Sequence, residues 1–485
     1  MAEEFVIRPA EQRDIKNIFD LSNDASVRAV SIHPEKIEWD KHVLWFERTL
    51  KNPDIVFYTL ETVNGDFVGQ IRFSRENDER IVSISLIEKY RGKHLGKALL
   101  NQAMKQSSFR HFTAYILSEN ISSQKMFLSL GYKQTQQKEI NGRSYLVFKY
   151  APVFIIAEMS ANHCGDKELA KKIIKTAKEI GADAVKIQTY TADTITLNCH
   201  NPEFKVSGTK LWNDKYLYDL YQEASTPWEW QGELKAYADE IGIPLFSTPF
   251  DFTAVDFLET LNVPMYKIAS FEAFDYPLIK YAAKRGKPMI ISTGISSLEE
   301  IQEAVNVCKS VGNNDITLLK CTSAYPAEPK DMNLLTIQDM IKLFGPQGVK
   351  VGLSDHSMSL VPPVAAVALG ATVIEKHFTL DRALGGADSG FSLNTEEFAL
   401  MVKTVRETEQ TLGKVDYTIN EQNRKFARSL YVTKDIKKGE TFTCDNVRSV
   451  RPSNGLHPRH YDSVIGKTAA RDLSFGTPLK LDDIN

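Results

Sequence analysis

Five cysteines in 485 residues are few. Cys164, Cys199, Cys308, Cys321 and Cys444 have neither paired Cys-x-x-Cys spacing nor the density of a disulfide scaffold. That argues against a zinc ribbon or a stapled core and fits reduced thiols in the cytoplasm. Long apolar runs are missing too. The most apolar stretch, Val361 to Ile374, contains two prolines and falls short of the roughly 20 residues a helix needs to span a bilayer. The first residues, MAEEFVIRPA, have no basic start followed by an apolar segment. Neither secretion nor membrane insertion is therefore expected. Positive charge is not in excess: 59 Lys and Arg against 62 Asp and Glu give a formal charge of −3. A nucleic-acid partner calls for a net basic face, so none is expected, although a local basic cluster can still bind a small anion.

The length is too great for one ordinary core, and two or three domains are expected. Residues 1–150 alternate strand-like runs (Phe5 to Arg8, Val56 to Leu60, Phe67 to Phe73, Ile81 to Leu86) with longer helical patterns, an α/β or α+β signature. From Val153 the chain instead repeats a short apolar run, one or two polar residues and an amphipathic helix. Eight such runs (FIIAEMS, DAVKIQT, IPLFSTPF, MYKIAS, PMIISTG, ITLLKCTS, KVGLSDHS and TVIEKHFTL) predict a (β/α)₈ barrel over residues 151–415. The segment from Tyr190 to about Pro227 is rich in Tyr, Trp and Asn and shows no clear helical period. Loops of that length commonly cover a site or an interface. Residues 425–485, with short strands and Lys-Gly-Glu and Asn-Gly turns, read as a small β-rich domain near the lower size for independent stability. The expected fold class is thus an α/β multidomain chain: an α/β front domain, a TIM-type barrel and a small β-rich tail.

Polar residues gather at the carboxyl ends of the eight runs, where such a barrel builds its active face. His356 and His377 end the seventh and eighth runs, which are neighbours in a closed barrel. Both imidazoles can then reach one divalent ion and leave coordination positions for water and substrate oxygens. The alternative is two unrelated polar residues at strand ends. Lys186 and Lys267 follow apolar strand residues, where an unpaired ammonium is costly. Together with the hydroxyls of Thr248, Ser270 and Ser354 they make a candidate cradle for phosphate and carboxylate, unless they pair with internal acids such as Glu158 or Glu375. Glu158 ends the first run, and Asp388 lies in the glycine-rich LGGADSGFSL after the eighth. Either carboxylate can orient or deprotonate a hydroxyl or water.

Read in order, AEMSANH, KIQTY, STPFD, YKIAS, ISTG, CTSAYP, GLSDHS, IEKHFTLDR and RPSNGLHP resemble the sialic acid synthase family over about Val153 to Ile484. LWNDKYLYDLYQEASTPWEW, KCTSAYPA and DRALGGADSGFSL are most similar to its pseudaminic acid branch, the sialic and legionaminic branches being the alternative. The resemblance implies condensation of phosphoenolpyruvate with the amino-sugar aldehyde 2,4-diacetamido-2,4,6-trideoxy-L-altrose. It implies Mn²⁺ or Mg²⁺ on His356 and His377, and phosphoenolpyruvate contacts at Lys186, Thr248, Lys267, Ser270 and Ser354. Gln188 matches a sugar-side position, and Glu158 and Asp388 match catalytic ones. The tail resembles the antifreeze-like (SAF) domain, which implies a domain-exchanged homodimer in which Arg451 reaches the sugar. Cys164 and Ala387 depart from the family's usual Asn and Pro, at positions expected to lie away from the ligands.

In residues 1–150, SISLIEKYRGKHLGKALL and ENISSQKMFLSLGY resemble the GNAT acetyltransferases. A strand leading into a glycine-bearing turn at a helix N-terminus leaves bare N–H groups for a pyrophosphate. The resemblance implies acetyl-CoA binding at Arg91, Gly92, Lys93, Gly96, Lys97 and Asn120. His94 replaces the first glycine of that loop, and Phe127 stands where the thiolate-protonating tyrosine is usual. The domain is expected either to acetylate the amine of a nucleotide-linked 4-amino sugar or to serve as a non-catalytic binding module.

Overall fold

The computed structural model describes residues 5–76, 79–93, 95–107, 111–207, 212–413 and 417–485, without the side chain of Lys105. The chain divides into two compact units, Met1–Leu412 and Gly413–Asn485.

The first unit opens with a seven-stranded sheet. Its strands are β1 (Phe5–Pro9), β2 (Ile55–Thr62), β3 (Phe67–Glu76), β4 (Glu79–Leu86), β5 (Phe112–Leu117), β6 (Lys133–Ile140) and β7 (Arg143–Tyr150), in the order β1-β2-β3-β4-β5-β7-β6. All neighbours are antiparallel except β4 and β5, which pair in parallel only at Arg80 with Phe112 and Ile81 with Thr113. Beyond those residues the two strands part. The helix Leu95–Gln106 comes next after β4, beyond a 3₁₀ turn at Glu88–Tyr90. One sheet face packs Leu60, Ile71, Phe73, Leu100 and Phe148 into a core, and the other packs Phe57 against Ile18 and Phe46.

The eight runs from Val153 form a closed parallel barrel as expected. The strands are β8 (Phe154–Glu158), β9 (Ala184–Thr189), β10 (Leu245–Pro249), β11 (Tyr266–Ile268), β12 (Met289–Ser292), β13 (Ile316–Cys321), β14 (Lys350–Asp355) and β15 (Val373–His377). Each is short, apolar and buried on both faces, as a strand wrapped by helices must be. Side chains alternate across a strand, so Glu375 and His377 share one face of β15 while Lys376 takes the other. There Lys376, fully buried, pairs with Asp355. At the opposite barrel end, Asp183 accepts from the Ile155 N–H (2.9 Å) and from Arg406 (2.6 Å), tying β8 to the helix Thr395–Thr411.

The segment after β9 differs from its aperiodic reading. It carries a turn of helix at Ala192–Ile195 and a two-turn helix at Leu217–Ala224, whose Leu220 is buried. Eight residues are too few for a periodic pattern to stand out, especially when cavity-lining and core-facing side chains are both apolar.

In the second unit β16 (Ser429–Val432) pairs antiparallel with β17 (Val447–Val450). Isolated bridges and turns complete a small core around Leu430, Ile436, Phe442, Val447 and Leu479. Arg451, exposed, follows β17 directly.

Candidate active site

The carboxyl ends of the barrel strands surround a cavity of about 450 Å³. Lys186, Gln188, Lys267, Ser270, Ser354, His356, His377 and Asp388, all proposed from sequence, line it together. Glu158 and Thr248 are not on its wall. They are fully buried and reach it through Lys186, whose Nζ lies 2.5 Å from Glu158 and donates to Thr248 Oγ1 (3.3 Å).

The two lysines are paired internally. Glu375 lies 3.6 Å from Lys186 and 3.6 Å from Lys267, and it accepts from Ser354 Oγ (3.0 Å). Lys267 also donates to Ser292 Oγ (2.7 Å). Two ammoniums thus face two carboxylates in a buried quartet. Burial raises Glu158 to about 7 against the pull of Lys186. At Glu375 the upward push of burial is outweighed by Lys186 and Lys267, and that carboxyl lies below its ordinary value. Burial lowers Lys267. With Glu158 protonated, the quartet carries a net positive charge that an anion can neutralise.

His356 and His377 sit at adjacent strand ends with ring centroids 5.2 Å apart. His356 Nδ1 is 3.2 Å from the Thr322 carbonyl oxygen, which fixes the proton there and leaves the Nε2 lone pair free. His377 is neutral, its basicity lowered by burial and by the neighbouring cations, and its Nδ1 has no hydrogen-bond partner among the described residues. His356 is the more basic of the two, burial being outweighed by the pull of Cys321, and once it gives up its proton the two imidazoles fit a divalent ion. Among the described residues no group of three or more His, Cys, Asp or Glu is arranged to hold a metal, so water and substrate must supply the other positions.

Asp388 is held at the cavity edge by the hydroxyl of Ser160, and burial raises it from its ordinary value. Ser160 itself has φ 45°, a left-handed conformation that L side chains avoid. Cys164 shares that conformation at φ 50°, one that asparagine adopts more readily than cysteine. Ala387, expected to lie away from the ligands, instead lines the cavity, and its carbonyl accepts from Trp212 Nε1 (2.8 Å). The expectation failed because the glycine-rich loop folds back over the mouth.

Sequence reasoning passed over several wall residues. Glu272 has its carboxyl raised to about 7 by burial, with Oε2 unpartnered among the described residues. Tyr325 packs at a tilt on His356, 4.5 Å between ring centroids, and Phe391 packs edge-on against His377 at 4.7 Å. Glu272 lies two residues after Ser270, the only signal that could have found it.

In the front domain, Gly92 is left-handed at φ 73°, and a Cβ on Gly96 would meet Met126 Sδ at 3.2 Å. Lys93 and Lys97 are exposed at the start of the helix. Arg91 points inward, donating to the Leu86 carbonyl (2.7 Å) and to Ser26. Asn120 caps the helix Ile121–Ser129 through Ser123 N–H (3.1 Å). Phe127 is buried edge-on against Tyr132, and His94 lies outside the described residues.

The geometry agrees with what comparison with known proteins shows. Residues 173–417 match the NeuB family model, and the chain is 50% identical over 334 residues to the pseudaminic acid synthase of Campylobacter jejuni, covering 68% of this chain and 96% of that protein. The chain belongs to the NeuB family. The pseudaminic acid synthase of Helicobacter pylori is 48% identical over 337 residues, covering 69% of the NeuB-family chain and 98% of its own length. The N,N'-diacetyllegionaminic acid synthase of Campylobacter jejuni is 38% identical over 325 residues, 66% of this chain and 96% of that one. Among solved structures, the N-acetylneuraminic acid synthetase of Leptospira borgpetersenii serovar Hardjo-bovis, in complex with citrate, superposes with a TM-score of 0.50 at 31% identity. It covers 60% of this chain and 95% of that one. The NeuB-family barrel is flanked by residues 4–133, which match the acetyltransferase (GNAT) domain, and residues 427–485, which match the SAF domain.

Proposed function

We propose that this NeuB-family chain is a pseudaminic acid synthase, joining phosphoenolpyruvate to 2,4-diacetamido-2,4,6-trideoxy-L-altrose with release of phosphate. The observation that carries the reading is the buried quartet of Lys186, Lys267, Glu158 and Glu375 beside the His356 and His377 pair, at the mouth of a barrel shared with relatives of that activity. Mn²⁺ or Mg²⁺, held by His356 and His377, would polarise the aldehyde oxygen.

Lys186 and Lys267 hold the phosphate and carboxylate of phosphoenolpyruvate, with Ser270 and Ser354 supplying hydroxyl donors and Thr248 contributing from behind the wall through Lys186. Proton uptake by Glu158, easy near pH 7, admits the anion without building negative charge. Gln188 and Asp388 fix the sugar on the opposite side. Carbon 3 of phosphoenolpyruvate bonds to the aldehyde carbon, whose oxygen takes a proton. Water then adds to the cationic carbon 2 while a carboxylate takes its proton. Asp388, made more basic by burial, is the acid on the wall suited to that step. The carbon 2–oxygen bond to phosphate breaks as the new hydroxyl passes its proton to the departing phosphate, leaving a ketone, and the proton taken from water balances the one gained by the aldehyde oxygen.

Residues 1–150, 151–415 and 425–485 act as the acetyltransferase-like, synthase and SAF domains of a cytoplasmic homodimer. Phe271, an exposed apolar side chain on the cavity wall, supports a covering partner there. Arg451 of the partner subunit would complete the sugar site. The front domain binds acetyl-CoA through Arg91, Gly92, Lys93, Gly96, Lys97 and Asn120 and acetylates a nucleotide-linked 4-amino sugar. Buried Phe127 favours a second reading, a module that binds acetyl-CoA without turnover. Coenzyme A release above background from acetyl-CoA and that amine selects the first, and binding without release selects the second.

The synthase is tested by phosphate release from phosphoenolpyruvate with the altrose sugar, N-acetylmannosamine or the legionaminic precursor, each with Mn²⁺ and with chelator. Metal-dependent release favouring the altrose sugar is expected. Release with another sugar alone moves the substrate, and none with any sugar overturns the reading.

A further inference from the structure

The cavity has two unlike halves. Strand ends supply charged and hydroxyl groups on one side. The segment between β9 and β10 supplies Ile195, Val206, Trp212, Leu217, Leu220 and Ala224 on the other, with Tyr190 and Tyr221 beside them. Apart from the two tyrosine hydroxyls, the one hydrogen-bonding group among these side chains is the Trp212 indole N–H, which is engaged by the Ala387 carbonyl. Of the first six, all but Leu220 are only partly buried, so their apolar surface is available to a ligand.

The wall is braced. Val206 N–H donates to the Lys215 carbonyl (2.9 Å), and Asp214 N–H to the Val206 carbonyl (3.1 Å). Lys205 pairs with Asp214 (2.9 Å), and Tyr218 donates to Asp193 (3.1 Å). Trp212 packs on Tyr325 (5.5 Å between centroids) and Phe391 (6.2 Å), the rings that contact the two histidines. The apolar half is thereby positioned against the reacting end of the site.

We propose that this wall is the specificity element of the synthase, selecting a sugar that turns methyl groups, of a 6-deoxy carbon and of N-acyl substituents, toward Ile195, Val206, Leu217, Leu220 and Ala224. The inference rests on the synthase reading above. A methyl group loses little on leaving water and gains contact with these side chains, whereas a hydroxymethyl group set against them must give up hydrogen bonds that the five aliphatic side chains do not return. Apolar pockets reject an added hydroxyl by roughly a hundredfold at most, so a preference of about ten- to hundredfold in kcat/KM is expected. Trp212 is a positioning residue in this scheme, closing the wall over the sugar ring.

The experiment compares the altrose sugar with its 6-hydroxy analogue in phosphate release by the full chain and by Val206→Thr and Leu217→Asn. The wild type should favour the 6-deoxy sugar about ten- to hundredfold. Each variant should narrow that ratio severalfold, mainly through KM, because a polar atom now faces the added hydroxyl. A wild-type ratio near one, or a ratio unchanged in both variants, overturns the proposal while leaving the synthase intact. No release from either sugar overturns the synthase reading and this inference with it. Binding is read separately from tryptophan fluorescence on adding the altrose sugar without phosphoenolpyruvate. A change present in the wild type and lost in Trp212→Phe supports the wall, and a change that survives in Trp212→Phe counts against it.

Discussion

Ser160→Gly separates backbone strain from site geometry. Ser160 sits at φ 45° and donates its hydroxyl to buried Asp388. A left-handed L residue costs about 1–2 kcal/mol, which glycine avoids. Losing a hydrogen bond to a buried carboxylate costs about 1.5–3 kcal/mol. Ser160→Gly should therefore be destabilised by no more than about 2 kcal/mol. Ser160→Ala keeps the strain and loses the bond, so it should be about 1 kcal/mol worse still. Thermal unfolding followed by calorimetry would resolve that gap as roughly 2–4 °C. In phosphate-release assays both variants should lose kcat/KM together, because the hydroxyl aims Asp388 whatever the backbone. A glycine variant with wild-type activity would refute the assignment of Ser160 as the positioning residue for Asp388. An alanine variant as stable as glycine would refute the strain.

Three further outcomes follow from buried polar groups. Lys186→Met leaves Glu158 and Glu375 facing one ammonium and should cost about 3–5 kcal/mol, the range for breaking a buried ion pair. Lys267→Met, which leaves Glu158 its partner, should cost less by denaturant unfolding. His163 is fully buried, accepts from Gly165 N–H (3.1 Å) and lies 3.1 Å from Thr226 Oγ1, and burial lowers its pKa to about 4. The folded state then binds fewer protons than the unfolded one. Stability is full above about 6.5 and falls by about 3 kcal/mol as pH drops toward 4; His163→Gln should flatten that profile in a pH series of melts. A Cβ on Gly294 would stand 2.2 Å from Ser323 Oγ and 2.9 Å from Ser270 Oγ. Gly294→Ala should therefore raise the KM for phosphoenolpyruvate severalfold with little change in melting temperature.

The barrel was legible because each strand is a short apolar run closed by a polar residue, a pattern that buried parallel strands impose. His356, His377, Lys186 and Lys267 were legible for the same reason, since strand ends point into one mouth. The pairing of the lysines was less so. Glu158 and Glu375 were named as possible partners, but sequence left pairing and an open anion cradle as alternatives, and Glu375 is set between the two lysines only when β14 and β15 bring it beside Ser354. Trp212, Tyr325 and Phe391 sit on loops whose paths depend on tertiary packing, and aromatic residues in loops carry no period to read. In the front domain β6, KQTQQKEI, is polar almost throughout and exposed at the sheet edge, so hydrophobic alternation could not mark it.

The most direct test of the account follows one atom. Phosphoenolpyruvate labelled with ¹⁸O in the oxygen bridging carbon 2 and phosphorus is incubated with the full chain, Mn²⁺ and the altrose sugar. Phosphate and sugar acid are then weighed by mass spectrometry. The account predicts a nine-carbon product and phosphate carrying the label, because the carbon–oxygen bond breaks. Label retained in the sugar acid, or no condensation product at all, would contradict it.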